Sequence, residues 1–143
     1  MSERFRREWF EQSLRTRAVG REFRYQIQTT STMDDARAAA QEGAAHGLVV
    51  LAEEQSAGRG RRPDRHWLSP AFQNLTFTIL VRPNVAQLRR LSIVTPVALA
   101  NAVEQLYGLY PRIKWPNDVQ LRGHKLAGIL IEAEWSAAKP DFA

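Results

Sequence analysis

The chain has 143 residues, 44 % of them hydrophobic and 24 % charged, with no cysteine; that is enough for one domain with a core, and it excludes disulfides, thiolate metal sites and a cysteine nucleophile. The formal charge is +5, with seventeen arginines to three lysines, a balance that permits nucleic acid, phosphorylated ligands or acidic partners without choosing among them. No apolar run approaches a membrane span and the basic start, MSERFRREWF, lacks the apolar stretch of a signal peptide, so a cytoplasmic protein is expected.

Residues 3–17 read as a short helix with mixed faces, part of a helical extension over residues 1–20. REFRYQIQ, 21–28, alternates Phe23, Tyr25 and Ile27 with polar neighbours, the pattern of a half-buried strand. In TTSTMDDARAAAQEG, Ser31 is placed to cap a helix, Asp34 to close a capping box, and Asp34 and Asp35 to favour the positive end of the helix dipole. HGLVVLAEE reads as a second strand that runs into the arginine segment, and NLTFTILVRP, 74–83, as a third that Pro83 stops. Residues 86–107 carry Leu88, Leu91, Ala98, Ala102 and Leu106 at helical spacing, with Pro96 expected to kink or split the helix. RIKWPNDVQL reads as strand, turn, strand, and RGHK as a hairpin around Gly123. KLAGILIEAEW, 125–135, is expected to be one final strand with apolar residues on both faces, followed by a weak tail, SAAKPDFA. The order describes a mixed α+β domain rather than regular βαβ repeats.

Three segments carry chemistry. In Ala57-Gly58-Arg59-Gly60-Arg61-Arg62, glycines allow close backbone approach, successive amides can surround an anion, and arginines add bidentate donors. The same residues serve equally as a solvated basic loop or a nucleic-acid patch, and no Gly-Lys-Ser/Thr follows to make a P-loop. In Lys114-Trp115-Pro116-Asn117-Asp118, an indole can stack on a base, as can Trp67, and Asp118 can hold Mg²⁺ through water; Asn-Asp is also ordinary turn chemistry and tryptophan ordinary core. Lys125, at a strand start, can neutralise a carboxylate or a developing phosphate charge, or simply protect a sheet edge. His46, His66 and His124 have no metal-ligand spacing, and no Ser-His-Asp order exists.

STMDDAR, LVVLAEEQSAGRGRR, WLSP, NL and IKWPNDVQLRGHKLAGILIE together resemble the catalytic domain of the biotin protein ligase family, the biotin–[acetyl-CoA-carboxylase] ligases, from about residue 20 to 135. The resemblance implies an α+β fold, a mixed β-sheet with flanking helices like that of class II aminoacyl-tRNA synthetases and biotin ligases, with residues 21–143 as a partial catalytic domain incomplete at its C-terminus. It implies activation of biotin with MgATP to biotinoyl-AMP, then transfer to a lysine of the biotin carboxyl carrier protein. By position, Ser31, Thr32, Met33 and Gln55 resemble the residues around the biotin head group. Arg59, Gly60 and Arg61 match the loop that closes over biotin and adenylate, with Arg62, Arg65 and Trp67 on its nucleotide side. Lys114, Asn117 and Asp118 match a segment near nucleotide and metal, and Lys125 matches the lysine that reaches both the biotin carboxylate and the adenylate phosphate. Lys125, Arg59 and Arg61 are the expected catalytic set.

The chain departs from the family pattern at Pro63 and Asp64, which lengthen the arginine loop where a glycine is usual. Phe72 stands in a glycine place, at a local cost if φ is positive there. Met33 replaces a common asparagine. The family pattern continues with further strands, so the isolated chain is expected to associate, with a homodimer one form of association, and to turn over weakly. Residues 1–20 are too few for a winged-helix domain, so no specific DNA binding is expected. The alternatives are a lipoate or octanoate ligase, or a catalytically impaired fragment with a basic nucleic-acid-binding surface.

Overall fold

The structure is a computed structural model that describes residues 5–62 and 64–143. Pro63, expected to stiffen the arginine loop, lies outside the described residues, as does the start of the expected first helix. The chain forms two compact units, one of residues up to Arg82 together with Phe142, the other of Pro83–Asp141 together with Ala143.

In the first unit a short helix α1 (Arg7–Ser13) precedes strand β1 (Phe23–Thr29), helix α2 (Thr32–Gln41), strand β2 (Val49–Gln55) and strand β3 (Thr76–Ile79). β1 and β2 pair in parallel, Phe23 opposite Val49, because α2 carries the chain back across the sheet. β3 pairs antiparallel to β2, Leu51 opposite Phe77, so the three-stranded sheet is mixed, as expected. β2 is central and therefore apolar along its first four residues, all buried. Its alternation feeds two cores. Val50 packs with Ala36, Ala39 and Ala40 of α2, with Leu48, Leu80 and Phe142. Val49 and Leu51 pack with Phe23 on the other core, against Phe5, Phe10, Val19, Tyr25 and Ile79. The rings of Phe10 and Phe23 lie 4.6 Å apart between centroids. Alanines at α2 positions 36, 39 and 40 let that helix approach the sheet closely.

Ser31 caps α2, its Oγ accepting from the Met33 amide at 3.3 Å. The expected capping box does not close, because the Asp34 carboxylate is taken by Arg59 instead.

The second unit holds helix α3 (Val85–Tyr107), strands β4 (Arg112–Lys114), β5 (Asp118–Leu121) and β6 (His124–Gly128), and the short strands β7 (Glu134–Ser136) and β8 (Lys139–Phe142), whose last residue packs with the first unit. Pro96 does not split α3. An internal proline removes one amide and costs about 3 kcal/mol, but both ends of this helix are closed. Asn84 and Gln87 form a capping box with two 2.9 Å bonds, and Gly108, at φ 64°, ends the helix in the left-handed region. Pro96 itself is fully buried.

The single strand expected over 125–135 is not formed. β6 ends at Gly128; the Ile129 amide still donates to the opposite Asn117 carbonyl at 2.8 Å, in register with the Asp118–Gly128 pair, and no regular strand follows until β7. Leu126, expected inside a sheet, is 46 % exposed. The tail read as weak instead makes the β7–β8 pair, turning at Ala137 with φ 55°, and Phe142 is buried.

Candidate functional site

In the first unit the sequence motifs converge at the C-terminal end of β2 and the N-terminus of α2, where an open α/β unit collects polar groups. Gln55 Oε1 accepts from the Thr32 amide at 2.8 Å and from Thr32 Oγ1 at 3.0 Å. Thr32 Oγ1 also lies 2.9 Å from Thr78 Oγ1. A hydroxyl has one proton, so Thr32 spends it on Gln55 and Thr78 donates to Thr32. This assigns the Gln55 carbonyl to the protein and leaves its Nε2 on the side of Gly58. Ser31 and Thr32 are each 2 % exposed; their side chains build the site wall, and Met33 is half-buried beside them.

The arginine loop then folds back on itself. The Trp67 amide donates to Gly58 O, the Gly60 amide to Arg65 O, and Arg59 bridges to His66. A Cβ on Gly58 would stand 2.5 Å from Trp67 O and 2.9 Å from Gln55 Nε2. Glycine is required there by close approach, not by φ. The Gly60 amide, a candidate anion donor, is spent inside the loop.

Arg59 forms a bidentate pair with Asp34, at 2.8 and 2.9 Å. The Arg59 hydrogen bond, with further attraction from Arg59 and Arg37, holds the Asp34 carboxyl below its usual range against a smaller opposing effect of burial. A lowered folded pKa means the pair stabilises the fold above the ordinary aspartate value and loses that contribution as pH falls through the lowered one. The thermal midpoint difference between the native chain and Asp34→Asn should therefore be present at neutral pH, begin to shrink below about pH 3.8 and vanish once the pH has fallen past the lowered value; a difference that does not shrink on acidification contradicts the pairing. Arg62 pairs with Asp64 at 3.1 Å, and Arg65 reaches the same carboxylate at 4.0 Å. Arg61 is exposed and has no partner among the described residues.

Phe72, in the expected glycine place, has φ 62°, so the local cost read from the sequence is present. It lines a hollow of about 290 Å³ with Phe5, Leu51, Glu53, Gln73, Asn74 and Leu75. None of the expected catalytic, biotin-binding or nucleotide-binding residues lines it, although Leu51, Glu53 and Gln55 share one face of β2. Glu53 is buried there and accepts from the Tyr25 hydroxyl at 2.8 Å. The left-handed region costs a non-glycine residue about 1–2 kcal/mol. Phe72→Gly should therefore be more stable than Phe72→Ala by about 1 kcal/mol, the reverse of the usual order, as read from denaturant midpoints. Alanine equal to or above glycine would show that the turn relaxes.

In the second unit, Lys114 and Asp118 are Cα partners across β4 and β5. Lys125 Nζ lies 2.8 Å from Asp118 Oδ1. That oxygen is buried and makes no well-aligned hydrogen bond, so the contact is an ion pair. The bulge between Val119 and Gln120 shifts the register and sets Lys125 opposite Gln120. Asn117 contributes its backbone carbonyl to Ile129. Trp115 is 64 % exposed, consistent with a ring available for stacking rather than a core role. Among the described residues no three His, Cys, Asp or Glu side chains cluster as a metal cage. The single Asp118 carboxylate suits Mg²⁺ only in the way nucleotide-borne Mg²⁺ is usually held, by one carboxylate, water and phosphates.

Sequence reasoning missed the Asp34–Arg59 pair, Thr78, and the Tyr25–Glu53 pair. Asp34 was legible only as a helix-terminal acid, and Thr78 as one of several strand threonines.

Residues 23–138 match the biotin/lipoate A/B protein ligase family, and the chain belongs to that family. It is 38 % identical over 134 residues to a biotin--[acetyl-CoA-carboxylase] ligase of Mycobacterium tuberculosis, covering 85 % of this chain and 50 % of that one. It is similar to the biotin protein ligase of Leishmania major in complex with biotin, with TM-score 0.73, 28 % identity, and 87 % of this chain and 54 % of that one covered. It is also similar to the biotin protein ligase of Aquifex aeolicus in complex with biotin and ATP, with TM-score 0.65, 28 % identity, and 85 % and 50 % covered. The chain thus spans at most about half the length of the curated relatives it matches. None of the described helices is long and apolar enough to cross a membrane.

Proposed function

We propose that this chain carries the biotin-activating site of a biotin–[biotin carboxyl carrier protein] ligase acting in the cytoplasm. The observation that carries the reading is the Gln55–Thr32–Thr78 network set directly against the Gly58–Trp67 loop. A polar, uncharged amide at the end of a buried strand suits a ureido ring, and the adjoining Arg59 and Arg61 suit a carboxylate or phosphate. The similar Aquifex aeolicus ligase is described in complex with both biotin and ATP, which supports ATP as the second substrate.

In this reading a biotin carboxylate oxygen attacks the α-phosphorus of ATP. A C–O–P anhydride forms, the bond to pyrophosphate breaks, and biotinoyl-AMP results. A carrier lysine amine then attacks the acyl carbon and AMP leaves with the anhydride oxygen. Both reactants are anionic, so catalysis consists of neutralising and aligning them. Arg59 and Arg61 approach from the loop, with Gly60 allowing the backbone to come close. Arg62, Arg65, Trp67, Lys114 and Asn117 serve the nucleotide. Lys125 stabilises charge on the reacting carboxylate and phosphate, and Asp118 orients Lys125. Mg²⁺, when brought by the nucleotide, supplies charge neutralisation at the phosphates. No protein nucleophile is required.

The test is incubation of the chain with ATP, biotin and a carrier protein, read by mass spectrometry. A gain of one biotin on the carrier lysine, dependent on ATP, is expected. Lipoyl or octanoyl transfer in place of biotin would replace the reading.

A further inference from the structure

The Asp34–Arg59 pair raises a question of competition, which rests on the reading above of Arg59 as an anion receptor. The two terminal guanidinium nitrogens of Arg59, its end-on donor fork for a ligand carboxylate or phosphate, already grip the two oxygens of Asp34. Asp34 sits in the first turn of α2, one residue beyond Met33 and two beyond Thr32, so it belongs to the same wall that holds Gln55. The Arg59 backbone is held by the loop bonds on either side, from Trp67 to Gly58 and from Gly60 to Arg65. What can move is the side chain. Its 37 % exposure and the 43 % exposure of Asp34 leave water access to the pair.

We propose that Asp34 is an internal stand-in for the ligand's anionic group, and that a carboxylate or phosphate taking the end-on fork of Arg59 must displace it. Asp34 is then a positioning residue. It keeps the guanidinium pointed at the site when no ligand is present, and it subtracts its own pairing energy from the affinity for any anion. It also selects by charge, because a neutral ligand gains nothing from Arg59 and pays nothing to Asp34. Arg37, one turn along the same helix, also attracts Asp34. Asp35 faces away, held by Gln26 and by the Thr29 hydroxyl at 2.7 Å. The wall therefore has a single carboxylate engaged with the loop.

Calorimetric titration of the native chain, Asp34→Asn, Asp34→Glu, Arg59→Ala and the Asp34→Asn/Arg59→Ala double variant tests this. The probes are biotin, its neutral methyl ester, and inorganic pyrophosphate. An exposed pair of this kind corresponds to about two- to fivefold in affinity. Asp34→Asn should bind biotin and pyrophosphate tighter by about that factor, leave the methyl ester unchanged, and show no gain once Arg59 is alanine. Asp34→Glu should return the native values. Equal tightening for biotin and its ester, or a gain that survives in the Arg59→Ala background, would overturn the proposal, as would weaker binding of anions by Asp34→Asn. If no variant binds biotin, the ligand reading falls, and the pyrophosphate arm alone decides: a gain there that depends on Arg59 upholds the competition, and its absence ends it.

Discussion

Lys125→Ala should cut biotin-dependent ATP–pyrophosphate exchange by about a hundredfold or more while weakening biotin binding far less. The ammonium stands at the start of β6, 2.8 Å from Asp118 Oδ1. The ion pair orients the lysine, whose side chain stays 43 % exposed. Charge on the reacting oxygens grows as the anhydride forms, so a cation at that point contributes most in the transition state. Removing it leaves the buried Asp118 oxygen without its partner, so Lys125→Ala must be checked for folding by its thermal transition. Lys125→Arg keeps the charge and serves as the companion variant. Equal, small losses in exchange and in binding would reduce Lys125 to protection of a sheet edge.

Gly58→Ala should lower biotin affinity by about tenfold or more, an effect larger than a single methyl group ordinarily produces. The added Cβ would meet a backbone oxygen at 2.5 Å and the Gln55 amide nitrogen at 2.9 Å, and contacts under 3.0 Å force something to shift. Trp67 O is backbone, tied by the bond from the Trp67 amide to Gly58 O, so it cannot step aside alone. Either the loop opens or Gln55 turns. If Gln55 turns, the two Thr32 bonds to its carbonyl are lost, and the buried Thr32 hydroxyl and amide need new partners at about 1–3 kcal/mol. Calorimetry of biotin binding, with circular dichroism to confirm folding, reads the result. Unchanged affinity in a folded Gly58→Ala would mean that the loop is not packed against the ligand-recognising amide.

The local elements were legible where hydrophobic period and punctuation agreed. Alternation at Phe23 and Tyr25, the Ser31 cap, and Gly123 in the hairpin each carry a local physical reason, and each element formed there, although Ile27, read on the same face, is 51 % exposed. The motifs were legible only together, because the glycine–arginine loop alone has several uses while three such segments in that order along the chain have few. The failures lie where tertiary contacts decided. KLAGILIEAEW reads as one strand by composition, yet its four-residue partner β5 pairs with it no further than the Ile129–Asn117 bond. Phe142 looks like a tail residue by position but fills a gap beside the α2 alanines. Pro96 counts against a helix locally and is outweighed by caps eleven or more residues away at Asn84 and Gly108. At the site, Gln55 and Arg59 were named from sequence, but their partners Thr32 and Asp34 are 23 and 25 residues distant, and Thr78 is 46 residues from the Thr32 it bonds, and spacing along the chain does not reveal these pairings.

The central claim, that the polar network and arginine loop recognise biotin, is tested most directly by calorimetric titration of the purified chain with biotin, lipoate and octanoate under identical conditions. Saturable heat with biotin, and none with the other two acids at the same concentrations, is the expected result. Preference for lipoate or octanoate, or no binding of any of the three, would contradict it.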